Sequence, residues 1–418
     1  MKKLILSKML FTAETEEPKD NMAVAIEDGV ITSLSPINQV NDRIGFDEVI
    51  DLTEYFVMPG LFDCHTHCAF DGTFSELSDD YMYSTSPGTF ALKGIKNVQG
   101  DLMGGFTSLR DVGCCPDWSD VAVRDAINEG MFYGPRMMVC GVTINATGGH
   151  GDNHFRPQFS ARGRNNVRQI ISGADEARNA ARLNFKYGAD CIKFMSSYGI
   201  MTPGDDPGAQ ELTYEEMRAI IEVAEFRGMT TCTHAHGVHG IQSAIKAGVT
   251  SIEHGSFMDE ETAELMVKTG TFLVPTLLVE RRMLTNMKPG EIKPNVIKKS
   301  QTAMKVHTNN IGMAYQKGVK IAFGTDVGAP YLYHGTQTEE FVWMVNGAGM
   351  KPAHALQAAT KNAAELLKWD KRVGTITEGK LADLIAVKGN PLDDISVMMD
   401  VAFVMKDGTI YKSAHFNN

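Results

Sequence analysis

The 418-residue chain has 51 acidic residues against 40 Lys and Arg, a formal charge of −11, which argues against nucleic acid or an anionic membrane as partner. Its hydrophobic content of 43% is ordinary for a globular protein, and no apolar run approaches the roughly 18 residues of a membrane span. The seven cysteines are odd in number and lack framework spacing, which is typical of the reducing cytoplasm, where we expect the protein to reside.

The two ends of the chain alternate apolar and polar residues. Residues 1–57 contain "LILSKMLFTA" and "AVAIEDGVITSL", and residues 373–418 contain "DLIAVKG" and "VAFVMKDGTIYKS". Both patterns predict short antiparallel strands. We interpret "MKKLILSKMLF" as a first strand, because Lys8 interrupts its short apolar stretch. The terminal segments are expected to meet in one small sheet domain.

The chain between them, residues 58–372, has a different pattern. Eight short apolar runs rich in β-branched residues alternate with helical segments such as "TYEEMRAIIEVAEFRG", several of which end in Gly. This alternation predicts an α/β fold and matches a (β/α)8 barrel better than a doubly wound sheet. No Gly-x-Gly-x-x-Gly motif opens a helix after any run, so nothing supports a dinucleotide site.

A cluster of metal-binding residue types, "DCHTHCAF", ends the first of these runs. Alternate side chains of a strand share a face, so His65 and His67 point one way while Cys64 and Cys68 point the other. The four side chains therefore cannot close on one ion. We interpret the cysteines as small buried hydrophobes and the histidine pair as metal ligands.

Similar polar residues end other runs of the predicted barrel, where the chemistry of such folds takes place. Burying the ammonium of the lysine among them costs several kcal/mol unless it is paired or chemically changed. Histidines, a lysine and an aspartate in this arrangement predict a metal site. The residues are His65, His67, Lys193, His234, His236, His254 and Asp326.

The motifs "PGLFDCHTH", "CIKFMSS", "TCTHAHG", "SIEHGS" and "AFGTDVG" resemble those of the amidohydrolase superfamily. "TGGHGD" and "TPGDDPGAQELT" are most similar to its prolidase-like and ochratoxin-hydrolysing branch, although "SSYG" after Lys193 replaces that branch's usual Ser-Gly-Gly-like turn and places Tyr198 beside the site. The resemblance implies a distorted (β/α)8 barrel over 58–372 and a β-sandwich built from 1–57 and 373–418.

The resemblance also implies a site for two divalent metal ions. His65, His67 and Asp326 would bind the first, His234 and His254 the second, and a Lys193 carboxylated by carbon dioxide would bridge both. A carbamate is an anionic oxygen donor, which removes the problem of a buried positive charge. These ligands suit Zn, our expectation, and also Mn, Co or Fe. A metal-bridging hydroxide would attack the substrate with Asp326 as general base.

The expected reaction is hydrolysis of an amide bond in a dipeptide or N-acyl amino acid, releasing an amino acid with a free α-carboxylate. Four further side chains are expected to bind this substrate: His150, Tyr198, His236 and Arg156. The resemblance also favours a homo-oligomer.

Three alternatives stay open. Deaminases of the same superfamily lack the bridging lysine and carry Glu three residues after the strand-five histidine, where this chain has Gly237. Opening of a cyclic amide, as in relatives resembling imidazolone hydrolases, is the main alternative. A catalytically silent barrel with structural metal is the third, but such a site would not require Asp326.

Other polar residues are expected to have structural roles. We interpret His307 and His415 as solvated, His354 as packing near its helix, and Arg110 with Asp111 as an ion pair that can support the site.

Overall fold

The computed structural model of the protein describes residues 1–40, 45–152, 168–201, 206 and 208–413. The strands are β1 (Lys2–Leu10), β2 (Lys19–Glu27), β3 (Val30–Pro36), β4 (Glu48–Pro59), β5 (Leu61–Thr66), β6 (Phe106–Asp111), β7 (Arg136–Val139), β8 (Ile144–Ala146), β9 (Gln169–Ile171), β10 (Cys191–Met195), β11 (Thr230–Ala235), β12 (Ser251–His254), β13 (Phe272–Val274), β14 (Leu384–Lys388), β15 (Val401–Lys406) and β16 (Thr409–Lys412).

The α-helices are α1 (Asp79–Ser84), α2 (Pro87–Met103), α3 (Ser119–Asn128), α4 (Ala174–Lys186), α5 (Tyr214–Phe226), α6 (Val238–Ala247), α7 (Glu260–Thr269), α8 (Leu277–Asn286), α9 (Pro294–Lys317), α10 (Glu340–Val342), α11 (Pro352–Gln357) and α12 (Ala363–Leu366). Local sequence explains their ends. Helix α5 begins at a capping box in which Thr213 and Glu216 bond each other's backbone N–H groups. Helix α9 ends at Gly318, whose φ of 91° suits a residue without a Cβ. Among the described helices, none has the length and apolar character needed to cross a bilayer.

The two ends of the chain meet in one seven-stranded sheet. Its order is β16-β15-β14-β4-β1-β2-β3, so strand β14 from the C-terminal segment pairs antiparallel with β4 from the N-terminal segment. This meeting was predicted from the alternating patterns. The domain boundaries at 57/58 and 372/373 stay a prediction, as does the second sheet of a sandwich.

The central part of the chain forms parallel sheets. Strands β5-β6-β7 form one sheet and β13-β12-β11-β10-β8-β9 another, each pair parallel. The Asp190 N–H donates to the Val139 carbonyl at 2.8 Å and connects the two sheets through β7 and β10. An α/β fold with parallel strands is therefore confirmed.

The last predicted strand, "KIAFGTD", lies between β13 and β5 without forming a regular strand. The Leu273 N–H donates to the Lys320 carbonyl at 2.9 Å, and the Cys64 N–H donates to the Phe323 carbonyl at 2.9 Å. The Asp326 N–H donates to the carbonyl of His65 at 2.8 Å. These bonds bring Asp326 to the histidines of the first strand end.

A layer of small buried side chains supports the strands from inside. Cys64, Cys140, Cys191 and Cys232 belong to one buried apolar cluster, which Leu366 helps to close. Cys191 lies two residues before Lys193, and Cys232 lies two residues before His234. Because alternate residues of a strand share a face, the thiols of Cys191 and Cys232 lie on the same side of their strands as Lys193 and His234. The prediction that cysteines serve as buried hydrophobes is confirmed for Cys64 and Cys68.

Candidate active site

The ends of the parallel strands bring five histidines into one cluster. The ring centroids of His65 and His254 are 4.9 Å apart, and those of His65 and His67 are 5.4 Å apart. His234 lies 4.6 Å from His254 and 4.7 Å from His236. The chain segments that carry these rings lie far apart in sequence, so the fold alone assembles them.

Four of these imidazoles are held by a hydrogen bond at Nδ1, which leaves Nε2 available at the site. The pairs are His65 with Glu253 at 2.8 Å, His67 with the Gly113 carbonyl at 2.8 Å, His254 with Thr276 at 2.7 Å, and His236 with Ser256 at 2.9 Å. Metal-binding histidines are typically fixed in this way by a partner at the other ring nitrogen.

The Nε2 atom of His234 adds a more specific observation. It is buried and has no hydrogen-bond partner among the residues that the structure describes. Burial lowers the pKa of His234 and His254 well below its usual value, so both rings are neutral at pH 7. Neutral imidazole is the form that binds metal, and an unsatisfied buried nitrogen is what a metal ion would satisfy.

Asp326 faces the first histidine pair. Its Oδ1 lies 3.0 Å from Nε2 of His67 and 3.4 Å from Nε2 of His65. Burial would raise the pKa of Asp326, but His65 and His67 offset this effect and hold the pKa below its usual value. The side chain is therefore a carboxylate at neutral pH. Asp326 and His254 both adopt positive φ, 68° and 71°, a strained conformation that often occurs at functional sites.

Lys193 is buried in β10, with only 2% of its surface exposed. No carboxylate within the described ranges forms an ion pair with its ammonium. Burial together with the Lys193 charge lowers the pKa of His65 to about 4. A buried cation beside the neutral rings of His65, His234 and His254 is costly, and conversion to an anionic carbamate would relieve that cost.

Among the described residues, three sets of ligand atoms lie close enough to hold a metal ion, and two of them belong to the histidine cluster; the third is Cys68, Asp111 and Cys115. His234, His236 and His254 form one set, and His65, His254 and Asp326 form the other, with the atoms of each set within 4.8 Å of one another. The donors are imidazole and carboxylate, which fit Zn and other divalent transition metals. We had predicted His236 as a substrate-binding residue, and the structure places it beside the other two histidines of the first set.

Two buried charged residues, Glu253 and Arg110, support His65 through its Nδ1 atom. Glu253 accepts a hydrogen bond at 2.7 Å from Arg110, which also donates to Ser251 at 2.9 Å and to the Cys64 carbonyl at 2.7 Å. Burial would raise the pKa of Glu253, but Arg110 and His65 lower it to about 2. The carboxylate is thus charged and fixes the proton of His65 on Nδ1.

The predicted ion pair between Arg110 and Asp111 is wrong. Adjacent residues of strand β6 point to opposite faces, so Arg110 pairs with Glu253 across the interior. Asp111 instead accepts hydrogen bonds from the backbone N–H groups of Cys68 at 2.6 Å and Gly113 at 2.9 Å. Sequence reasoning missed Glu253, although a carboxylate in the buried run "SIEH" is the same signal that identified Lys193.

We predict that Glu253→Gln weakens metal binding by about 10-fold to 100-fold, because the neutral amide no longer strengthens and orients His65. Competition with a chelator measures this affinity. Glu48→Gln, in the terminal sheet, is the matched control and is expected to leave it unchanged. Equal metal affinity in wild type and Glu253→Gln would contradict a supporting role for Glu253.

The predicted substrate-binding residues differ in placement. The ring of His150 stacks on His234 with centroids 4.0 Å apart, so it does border the cluster. Tyr198 is partly buried, and its N–H donates to the Ala209 carbonyl at 2.9 Å. Arg156 lies outside the described residues, as does His415.

The interpretation of His307 as solvated is wrong. It is fully buried in α9, and its Nε2 lies 2.9 Å from the His254 carbonyl. Its Nδ1 faces Glu280 at 3.7 Å. The contact supports the strained backbone of His254, and only tertiary packing between α9 and β12 creates it. His354 bonds Tyr315 at 2.8 Å and packs near its helix as expected.

Gly237 leaves no room for the glutamate of a deaminase. A Cβ at this position would lie 2.0 Å from the carbonyl oxygen of Gly208. Any larger side chain would displace backbone, so the general acid and base of a deaminase cannot occupy this position in the observed fold.

Comparisons with known proteins agree with this geometry. The model of the Amidohydrolase family matches residues 56–411. Ochratoxinase from Aspergillus niger is 33% identical over 417 residues, which cover 95% of this chain and 84% of that protein. A solved structure of a Xaa-Pro dipeptidase with methionine bound in its active site has a TM-score of 0.90 at 35% identity, covering 99% of this chain and all of the other.

A more distant relative is imidazolonepropionase from Pseudomonas putida, which is 25% identical over 398 residues, 87% of this chain and 88% of that protein. The family match spans most of the chain, and the relatives cover it almost end to end. The chain therefore belongs to the amidohydrolase family and is a hydrolytic enzyme that acts on amide bonds.

Proposed function

We propose that the enzyme releases an amino acid from a dipeptide or an N-acyl amino acid. The observation that carries this proposal is the cluster of buried histidines around Asp326 and the buried Lys193. The similarity to a Xaa-Pro dipeptidase supports a substrate whose leaving group is an amino acid.

Two divalent metal ions, most simply Zn, fit the donor set. His65, His67 and Asp326 would hold one, His234 and His254 the other, and a carboxylated Lys193 would bridge them. His236 is an additional ligand candidate, because it lies in the same set as His234 and His254. When bound, such ions supply a Lewis acid for the carbonyl and lower the pKa of water.

Asp326 is the proposed general base. Its carboxylate is ionised, only 17% of its side chain is exposed, and its Oδ1 lies 3.0 Å from Nε2 of His67. It would accept a proton from the attacking water and pass that proton to the leaving nitrogen. Amide hydrolysis needs this transfer because an unprotonated amine is a poor leaving group.

The fold proposed for this chemistry is a distorted (β/α)8 barrel. Its eight strand positions would be β5, β6, β7, β10, β11, β12, β13 and the segment 320–327. The backbone bonds between Asp190 and Val139, and those of segment 320–327 to β13 and β5, support this closure. Both metal ligand sets would then lie at the carboxyl ends of the strands, where barrel enzymes have their sites.

We predict that matched N-acyl amino acids with a free and an amidated C-terminus differ in kcat/KM by at least about tenfold, in favour of the free acid. A buried site that binds a carboxylate loses that interaction when the charge is removed. Steady-state kinetics with the metal-loaded enzyme measures the ratio. Equal rates on both substrates would reject the proposed substrate class.

Opening of a cyclic amide is the second candidate, favoured by the similarity to imidazolonepropionase. It predicts turnover of five-membered cyclic amides and none of linear N-acyl amino acids. Including both substrate types in the same kinetic experiment distinguishes the two functions.

A further inference from the structure

A pocket of about 420 Å³ opens next to the histidine cluster. Gly237, which directly follows His236, forms part of its wall, and so does Phe257. The ring centroid of Phe257 lies 6.5 Å from that of His236, whose imidazole stacks 4.9 Å from His254. The wall of the pocket is therefore continuous in sequence with His236, a member of the histidine cluster.

The start of helix α6 lines this pocket through Gly237 and Val238. No side chain in the described part of the chain caps this helix, and its first turn contains no acidic residue. The N-terminal N–H groups of a ten-residue helix favour a negatively charged group nearby. Helices α5 and α7 begin with a side-chain cap and acidic residues, whereas the start of α6 has neither.

Two lysines of α9 supply positive charge on the opposite wall. Both line the pocket: Lys298 is exposed, whereas Lys299 has a relative exposure of only 5%. Asp206 also lines it, with its Oδ1 accepting a bond from the Gly208 N–H at 2.7 Å. Among the described residues that line the pocket, two ammonium groups stand against one carboxylate. Lys299 has contacts of its own within the protein, so a ligand would share this cation.

Lys299 lies in the wall of a pocket that also includes Gly237, the residue that follows His236. Lysine is seldom buried to this degree, and the contacts that Lys299 has within the protein offset part of the cost of burying its charge.

We propose that this pocket is the subsite for the α-carboxylate of the leaving amino acid, with Lys299 as its main specificity-determining residue, Lys298 as a second cation and the α6 N-terminus as backbone donor. The inference rests on the proposed function and deepens it. It places carboxylate recognition on α9 and α6, whereas the sequence had suggested Arg156, His150 and Tyr198 for that role.

The test compares wild type, Lys299→Met and Lys298→Met as full-length, metal-loaded enzymes. Lys305→Met is the matched control, because Lys305 is an exposed residue of the same helix that does not line the pocket. Each enzyme is assayed for kcat/KM on an N-acyl amino acid with a free carboxylate and on its C-terminal amide. Inhibition by the free amino acid product gives a binding readout that does not depend on turnover of either substrate.

We expect Lys299→Met to lose at least about tenfold in kcat/KM on the free acid and less than about twofold on the amide. Its inhibition constant for the amino acid product should rise by a similar factor. Lys298→Met should show the same selectivity with a smaller loss, and Lys305→Met should behave as wild type. If Lys299→Met does not fold, as judged by thermal melting, the selective loss in Lys298→Met decides.

Equal losses on both substrates, or unchanged product inhibition in folded Lys299→Met and Lys298→Met, would overturn the subsite. If the wild type hydrolyses the free acid but either of these outcomes is found in the variants, only the subsite is rejected and the proposed function stands. Absence of hydrolysis of both substrates by the wild type would instead reject the proposed function.

Discussion

Asp326→Asn should lower kcat on an N-acyl amino acid by about 100-fold or more while the protein keeps most of its bound metal. The carboxylate lies 3.0 Å from Nε2 of His67, and its lowered pKa keeps it ionised at neutral pH, the form that can accept a proton. An amide of the same shape cannot accept that proton, and loss of a general base typically costs 10²-fold to 10⁴-fold in rate. The other proposed ligands would remain to hold the metal.

Single-turnover and steady-state kinetics, with elemental analysis of the same preparation, separate the two effects. Asp20→Asn, an exposed position in strand β2, is the control and should retain full activity. If Asp326→Asn keeps near wild-type kcat, Asp326 is not the base. If it loses activity and metal together, its role is ligation alone.

Lys193→Ala should abolish most activity, and a short carboxylic acid such as propionate should restore part of it. The proposed bridge is an anionic carbamate, and removing it leaves a cavity the size of the lysine side chain in the buried β10 strand. A small carboxylate can enter that cavity and supply the missing oxygen donors.

Lys305→Ala, in an exposed position on α9, serves as the control for adding the acid. Neither the Lys305→Ala substitution nor added propionate should change the activity of the enzyme. Rescue of Lys193→Ala by a primary amine, with none by the carboxylic acid, would indicate that the native group is an ammonium, and the carbamate would be wrong.

Much of the site could be predicted because buried polar residues are conspicuous in apolar strands. His65, Lys193, His234 and His254 each lie in a short hydrophobic run, and alternation along a strand determines which neighbours share their face. The position of Asp326 followed from the same reasoning, although its segment proved to be irregular. The meeting of the two chain ends also followed from pattern alone.

The supporting contacts could not be predicted because they join residues that are distant in sequence. Glu253 and His65 are 188 residues apart, and the choice of Glu253 as partner of Arg110 depends on which strands face each other across the interior. His307 shows the same limit. Its helix has mixed polarity, and only the packing of α9 against β12 shows that it contacts the His254 carbonyl. In the sequence, Lys298 and Lys299 also resemble ordinary surface residues of a helix. Only the fold shows that they line the same pocket as Gly237.

Metal content directly tests the proposal that this histidine cluster holds two metal ions bridged by a modified Lys193. Elemental analysis of the purified wild-type protein should give close to two divalent ions per chain, and Lys193→Ala should bind clearly fewer. At most one ion in the wild type, with the same content in Lys193→Ala, would contradict the binuclear site.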